Sequence, residues 1–234
     1  MNNHNDQLHT QDATLRGVLA YFLGHTVVWI GLVYLLGGSS RVSFAYLGDA
    51  STPWLRQFIL PLLAVLTYQA IVFTKRGWWG SIFQERERTK HRWLWWPVGG
   101  FVILSMTGAL VIGGWNEAGV GYVLGMGSTV LLVGLTEEFS FRGAILIRAR
   151  GLFEREWAAA LFATSLFGLF HLPNALLGSP LAGELVHVVQ TAALGMLFYA
   201  MRRLSGSIWL PILVHAVWDF VVLQGNWDII NTLT

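Results

Sequence analysis

The chain has no cysteine and few charges. Without cysteine there are no disulfides, thiolate metal sites or cysteine nucleophiles. Charged residues make up 12% of the 234 residues, about half the roughly 25% of an ordinary soluble domain. That leaves too little polar surface for solubility, and mean hydropathy is +0.54, so the composition points to a membrane protein. A net charge of +2 gives no footprint for nucleic acid, and none is expected as a partner. Twelve tryptophans suit a chain with two membrane–water interfaces.

A spanning helix needs roughly 20 apolar residues. Seven segments qualify as candidates: Gly17–Gly38, Trp54–Phe73, Trp93–Ile112, Val120–Ile147, Trp157–Leu172, Leu185–Met201 and Ile208–Gly225. The expected fold is an all-α, polytopic transmembrane helical bundle of about seven spans, with a polar cavity between the fourth, fifth and seventh. No linker, internal repeat or low-complexity tract divides it. The expected organisation is a polar cytoplasmic tail (1–16), one transmembrane domain (17–225) with its motif-bearing core at 120–225, and a short tail (226–234). The first apolar run lacks a basic leader and a small-residue cleavage site, so it is expected to be a retained helix.

Lys and Arg fix the expected orientation. Arg16, the 75–92 loop (Lys75, Arg76, Arg86, Arg88, Lys90, Arg92), the 148–155 loop (Arg148, Arg150, Arg155) and Arg202–Arg203 fall on one side of seven alternating spans. Only Arg41 and Arg56 fall on the other. The N-terminus is therefore expected in the cytoplasm, and the 75–92 loop reads as a topology signal in contact with anionic lipids.

A charge inside a span costs about 2.5–3.5 kcal/mol even on the lenient insertion scale. The fourth segment nevertheless contains Gly-Leu-Thr-Glu137-Glu138-Phe-Ser-Phe-Arg142-Gly. Glu138 and Arg142, at i and i+4, pair along one helical face. Glu137 points about 100° away, free for another partner or task. The fifth segment carries Phe167-Gly-Leu-Phe-His171, and the seventh His215-Ala-Val-Trp-Asp219. At about 1.5 Å per residue, Glu138, His171, His215 and Asp219 fall at similar depths in the inner half of the bilayer.

These parts suit activation of water for attack on a carbonyl. A glutamate among apolar side chains can accept a proton near neutral pH, and a histidine can share it. A second histidine and an acid can hydrogen-bond a developing oxyanion. The donors Glu137, His171 and His215 also suit a divalent metal such as zinc. No cofactor is required by the metal-free route.

Glu137-Glu138-x-x-x-Arg142, Phe167-x-x-x-His171 and His215-x-x-x-Asp219, in that order, resemble the CPBP (CAAX protease and bacteriocin-processing, or Abi) family of membrane peptidases, which includes the type II CAAX prenyl endopeptidases. The resemblance spans roughly Val120 to Gly225. It implies an intramembrane endopeptidase whose substrate is a peptide or protein with a membrane-associated or lipidated segment, embedded with its lipids in a bacterial plasma membrane. It implies Glu137 as general base aided by His171, His215 and Asp219 at the oxyanion, and Glu138, Arg142 and Phe167 in support. The prenyl-protease branch usually has Asn where this chain has Asp219. An ionised Asp cannot donate to an oxyanion, so Asp219 would have to be protonated or act through His215.

Two other readings stand beside this one. Buried acids and histidines also make proton relays in transporters, and the fold could serve as a non-catalytic scaffold or immunity protein. The chain lacks the matched halves of many transporters, and it lacks His-Glu-x-x-His, Gly-x-Gly-Asp and Gly-x-Ser-Gly. His25 and His187 are expected to be packed, structural histidines. Asn174 and Glu184 are expected to be solvated or capping in the outer loop. Gly121-x-x-x-Gly125 is expected to bring two helices close.

Overall fold

The structure, a computed structural model, describes residues 13–37, 54–83, 85, 88–112 and 119–224. The tails 1–12 and 226–234, Arg41 and Arg86 lie outside the described residues.

The expected apolar segments fold as helices. They are α1 (Leu15–Gly37), α2 (Leu60–Arg76) preceded by a π-helical turn at Leu55–Ile59, and the short α3 (Trp79–Phe83). Next come α4 (Trp95–Ile112) and α5 (Gly119–Glu138), the latter running through a π-helical segment, Phe139–Ile145, into α6 (Leu146–Leu152). Then follow α7 (Glu156–Leu169), a 3-10 segment at Leu172–Leu177, α8 (Leu181–Ser205) and α9 (Trp209–Gln224). Among the described residues four helical stretches are long and apolar enough to cross a membrane: Leu15–Gly37, Leu55–Arg76, Glu156–Leu177 and Leu181–Ser205.

The outer surface confirms the medium. Trp96 is 84% exposed, Val111 78%, Val120 76% and Leu35 74%. A soluble protein does not present such residues all round its surface, whereas lipid accepts them, provided the backbone is satisfied within each helix.

Packing places α5 against α9 and α7 against α8, with α1 and α2 on the far side of α5. A Cβ on Gly134 of α5 would lie 2.8 Å from the Ile212 carbonyl oxygen of α9, so these two backbones meet at van der Waals distance. The Gly121-x-x-x-Gly125 expectation is corrected. A Cβ on Gly125 would strike the Trp54 indole at 2.6 Å, and one on Gly121 would meet nothing within 4 Å. Gly125 seats an aromatic ring, and Gly134 makes the close helix contact.

The basic residues at one end of the bundle do more than mark topology. Arg202 is buried, and it donates to Glu85 (3.0 Å) and to the Ser81 carbonyl (3.0 Å). Arg150 bridges Glu85 (3.0 Å) and Glu156 (2.8 Å), and Arg203 and Tyr199 also bind Glu156. Burial opposes the Arg150 charge, but its hydrogen bonds to Glu156 and the nearby Glu85 charge outweigh it and raise its pKa further. Two carboxylates thus tie residue 85, in the loop after α3, to α6, α7 and α8.

Candidate active site

The three motifs converge where α5 turns into its π-helical segment. A π turn widens the helix by one residue and is common at functional sites. Glu138 sits at its start and Arg142 within it. The Arg142 Nη1 donates to Glu138 Oε1 at 2.9 Å, with both side chains almost fully buried. The same Oε1 lies 2.9 Å from Nδ1 of His215 on α9. Glu138 therefore holds both a helix-mate and the neighbouring helix through one oxygen.

Aromatic and small residues shape the space around these charges. The Arg142 guanidinium carbon stands 4.0 Å from the Phe167 ring centroid and 5.1 Å from that of Phe198. The His215 ring stacks on Phe198 at 4.7 Å and meets the edge of Phe167 at 5.9 Å. Gly195 of α8 makes room: a Cβ there would lie 3.0 Å from the Phe167 ring and 3.2 Å from Arg142 Nη2. These contacts fix the His215 ring plane, with Nε2 directed to 3.4 Å from Asp219 Oδ2 and 3.7 Å from Glu137 Oε2.

Glu137 is the carboxylate left over. It is 7% exposed, and its Oε2 has no hydrogen-bond partner. It also lines a small cavity with His25, Trp29 and Thr136, of about 10 Å³, the size of a single water. His25 anchors the other side through Nδ1, 2.8 Å from Ser140 Oγ, which also contacts the Tyr21 hydroxyl at 2.8 Å. Gln69 donates to Ser140 Oγ (2.8 Å) and to the Thr136 carbonyl (2.6 Å). The back of the π-helical segment is thus braced by a buried polar cluster from α1 and α2.

His171 joins the site indirectly. It lies at the C-terminal end of α7, where its Nδ1 donates to the Phe167 carbonyl at 2.9 Å, which leaves Nε2 available. Its ring meets Phe167 at 5.2 Å. Among the described residues no hydrogen bond or ion pair connects it to Glu137 or His215.

His187 and Glu184, one turn apart on α8, were not expected beside the motifs. The His187 ring is 4.9 Å from His171, and its Nδ1 is 3.2 Å from Glu184 Oε2. Glu184 is only 7% exposed, which corrects its expected solvation. Asn174 is buried as well, at 8% exposure, and its backbone N–H bonds the His171 carbonyl. The only sequence cue was Glu184-x-x-His187 at helical spacing near the start of an amphipathic stretch, a pattern that most surface helices share. The site opens on this side: the Asp219 side chain is 22% exposed and that of His187 41%.

Among the described residues no group of three or more His, Asp or Glu side chains is disposed to hold a metal ion. Glu137, His171 and His215 do not form the set that zinc requires in this geometry.

Residues 119–221 match the family model described as Type II CAAX prenyl endopeptidase Rce1-like, somewhat less than half of the chain. A search of curated proteins returned no match, and neither did a search of solved structures. The matched stretch holds all three motifs, and it supports a CAAX-protease (CPBP) family assignment. The chain is an integral membrane protein, similar over this stretch to a family of membrane-embedded proteases.

Proposed function

We propose that this protein is an intramembrane endopeptidase that hydrolyses a peptide bond of a membrane-associated or lipidated protein, using a water activated by Glu137. The observation that carries the reading is the buried Glu137 carboxylate, whose Oε2 accepts no hydrogen bond and lies 3.7 Å from His215 Nε2 beside Asp219, while Glu138 neutralises Arg142. One acid is engaged in structure and its neighbour is not.

In this reading a water bound to Glu137 gives its proton to the carboxylate as its oxygen bonds to the scissile carbonyl carbon. The carbonyl π electrons move onto oxygen. His215 Nε2, held by Glu138 through Nδ1, donates to that oxyanion. Asp219 accepts from Nε2 in the resting site, which keeps the ring oriented until substrate arrives. Collapse of the tetrahedral intermediate breaks the C–N bond, and the proton taken by Glu137 passes to the leaving nitrogen. His171, with Nδ1 tied to Phe167 and Nε2 available, assists the water from its own side, and His187 backs it. The route requires no metal. A divalent ion would need the Glu137, His171 and His215 donors to regroup.

The bundle would cross the membrane seven times, with α1, α2, α4, α5, α7, α8 and α9 as spans and the N-terminus in the cytoplasm. Support comes from the location of the arginine-rich ends of α2, α6 and α8 at one side of such a bundle. A bacterial plasma membrane fits the resemblance of the motifs to the bacterial branch.

The test is cleavage of a membrane-anchored peptide library, prenylated CAAX peptides included, by detergent-purified protein. Cleavage products that vanish with Glu137→Gln support the reading. A proton-coupled transporter would instead give proteoliposomes a substrate-dependent proton flux without cleavage.

A further inference from the structure

A second cavity, lined by none of the motif residues, lies where the start of α1 meets the end of α2. Its volume is about 450 Å³, within the range of small-ligand sites. Lys75 and Arg76 of α2 and Arg148 of α6 line it, and no lining residue is acidic. Lys75 and Arg76 are exposed, and among the described residues neither side chain has a hydrogen bond or an ion pair. Arg148 is 6% exposed, with its guanidinium carbon 3.9 Å from the Trp78 ring centroid.

The placement of these groups is built into the chain. α2 ends at Gly77, whose φ of 66° reverses the backbone. The Trp78 N–H then bonds back to the Phe73 carbonyl at 2.8 Å, which sets the indole under Arg148. The first turn of α1 supplies Gly17 and Val18 to the wall, with Thr14 accepting from Gly17 N–H at 3.1 Å. That turn brings the positive end of a 23-residue helix to the same cavity. Tyr21 and Tyr68 form a polar–aromatic floor, and Ile71, 50% exposed, continues the wall towards the lipid face. Cations at the interface end and an apolar flank below match a phosphate group that carries acyl chains.

We propose that this cavity is a binding site for a phosphate anion, presented by the headgroup of an anionic phospholipid, with Lys75, Arg76 and Arg148 on the phosphate and the Ile71 wall along the first methylenes. The site does not depend on the peptidase reading, because it shares no residue with the three motifs.

The experiment uses the full chain, delipidated in a neutral detergent and phosphate-free buffer. It is titrated with phosphatidylglycerol, phosphatidylcholine or inorganic phosphate, and binding is read by native mass spectrometry. Phosphatidylglycerol should bind and phosphatidylcholine should not. The double variant K75Q/R76Q, altered only at exposed positions, should bind phosphatidylglycerol roughly 25-fold more weakly, from about 1 kcal/mol per cation and about tenfold per 1.4 kcal/mol. K90Q/R92Q, which removes two cations outside the cavity, should bind as the parent does. Inorganic phosphate without effect assigns the site to lipid. Inorganic phosphate bound with the same dependence on Lys75 and Arg76 assigns it to the free anion. Unchanged phosphatidylglycerol affinity in K75Q/R76Q, an equal loss in K90Q/R92Q, or equal binding of phosphatidylcholine would each overturn the proposal.

Discussion

His215 Nδ1 and Glu138 Oε1 lie 2.9 Å apart across the α5–α9 contact, and the same oxygen takes the Arg142 Nη1 hydrogen bond at 2.9 Å. Glu138 is therefore the shared anchor of a cation and a histidine, and none of the three is appreciably exposed. Glu138→Ala leaves Arg142 buried without its counter-charge, a loss that costs about 3–5 kcal/mol in buried pairs. Thermal unfolding in detergent should show a large drop in Tm. Glu137→Gln, at a carboxylate oxygen with no partner, should leave Tm close to the parent value. The two adjacent acids are thus separated by one stability measurement.

Asp219 allows a test of charge against geometry. Its Oδ2 is 3.4 Å from His215 Nε2, and an Asn amide is nearly isosteric. If Asp219 acts by orienting His215 and facing the substrate oxygen, Asp219→Asn retains measurable cleavage, because the amide can both accept and donate. Asp219→Ala should lose it. Equal loss in both variants would mean that the negative charge itself is needed.

The α5–α9 distance sets the position of His215 relative to Glu137 and Glu138. A methyl at Gly134 would press on the Ile212 backbone oxygen at 2.8 Å, and backbone cannot rotate away. Gly134→Ala should therefore reduce cleavage by displacing α9, with a moderate loss of Tm. Gly127→Ala, on the same helix with nothing within 4 Å of the added methyl, should change neither. Steady-state rates and melting curves of the pair decide this.

Glu85 lies far from the motifs in sequence but holds the buried Arg202 and also Arg150. Glu85→Ala strands Arg202 and should destabilise the protein by about 3–5 kcal/mol. The parent network should resist salt, since buried pairs are screened far less than exposed ones. A parent Tm that falls steeply between low and high salt would contradict that.

The helices were legible because apolar runs of about 20 residues have few alternatives; α1, α4, α7, α8 and α9 fall on the expected segments within a few residues, while π-helical turns shorten α2 at its start and α5 at its end. Glu138, Arg142, His215 and Asp219 were legible as a site because a charge in an apolar run needs a partner, and helical spacing names it. Three features were hidden. The π-helical segment Phe139–Ile145 leaves no mark in hydropathy, as its residues are all buried. His187 was expected as a packed structural histidine and Glu184 as solvated or capping, because only the packing of α7 on α8 brings His187 to His171. Arg150, Arg202 and Arg203 were legible as topology signals, but their acids, Glu85 and Glu156, lie on other elements, and no local spacing links them.

His171 and His187 separate direct from backing roles. His171→Ala should abolish cleavage, because Nε2 is its one uncommitted nitrogen. His187→Ala should lower the rate without abolishing it, since its ring meets His171 and bonds Glu184 rather than Glu137 or His215 among the described residues. A single-turnover assay resolves the two.

The central claim is that Glu137 activates the water. The most direct measurement compares parent and Glu137→Gln proteins of equal Tm for cleavage of an identified membrane-anchored peptide, with products read by mass spectrometry. A carboxylate base contributes about 10²–10⁴-fold, so Glu137→Gln should lose at least 100-fold in kcat, and metal-free parent protein with a chelator present should cleave at its full rate. Cleavage by Glu137→Gln at the parent rate would contradict the account.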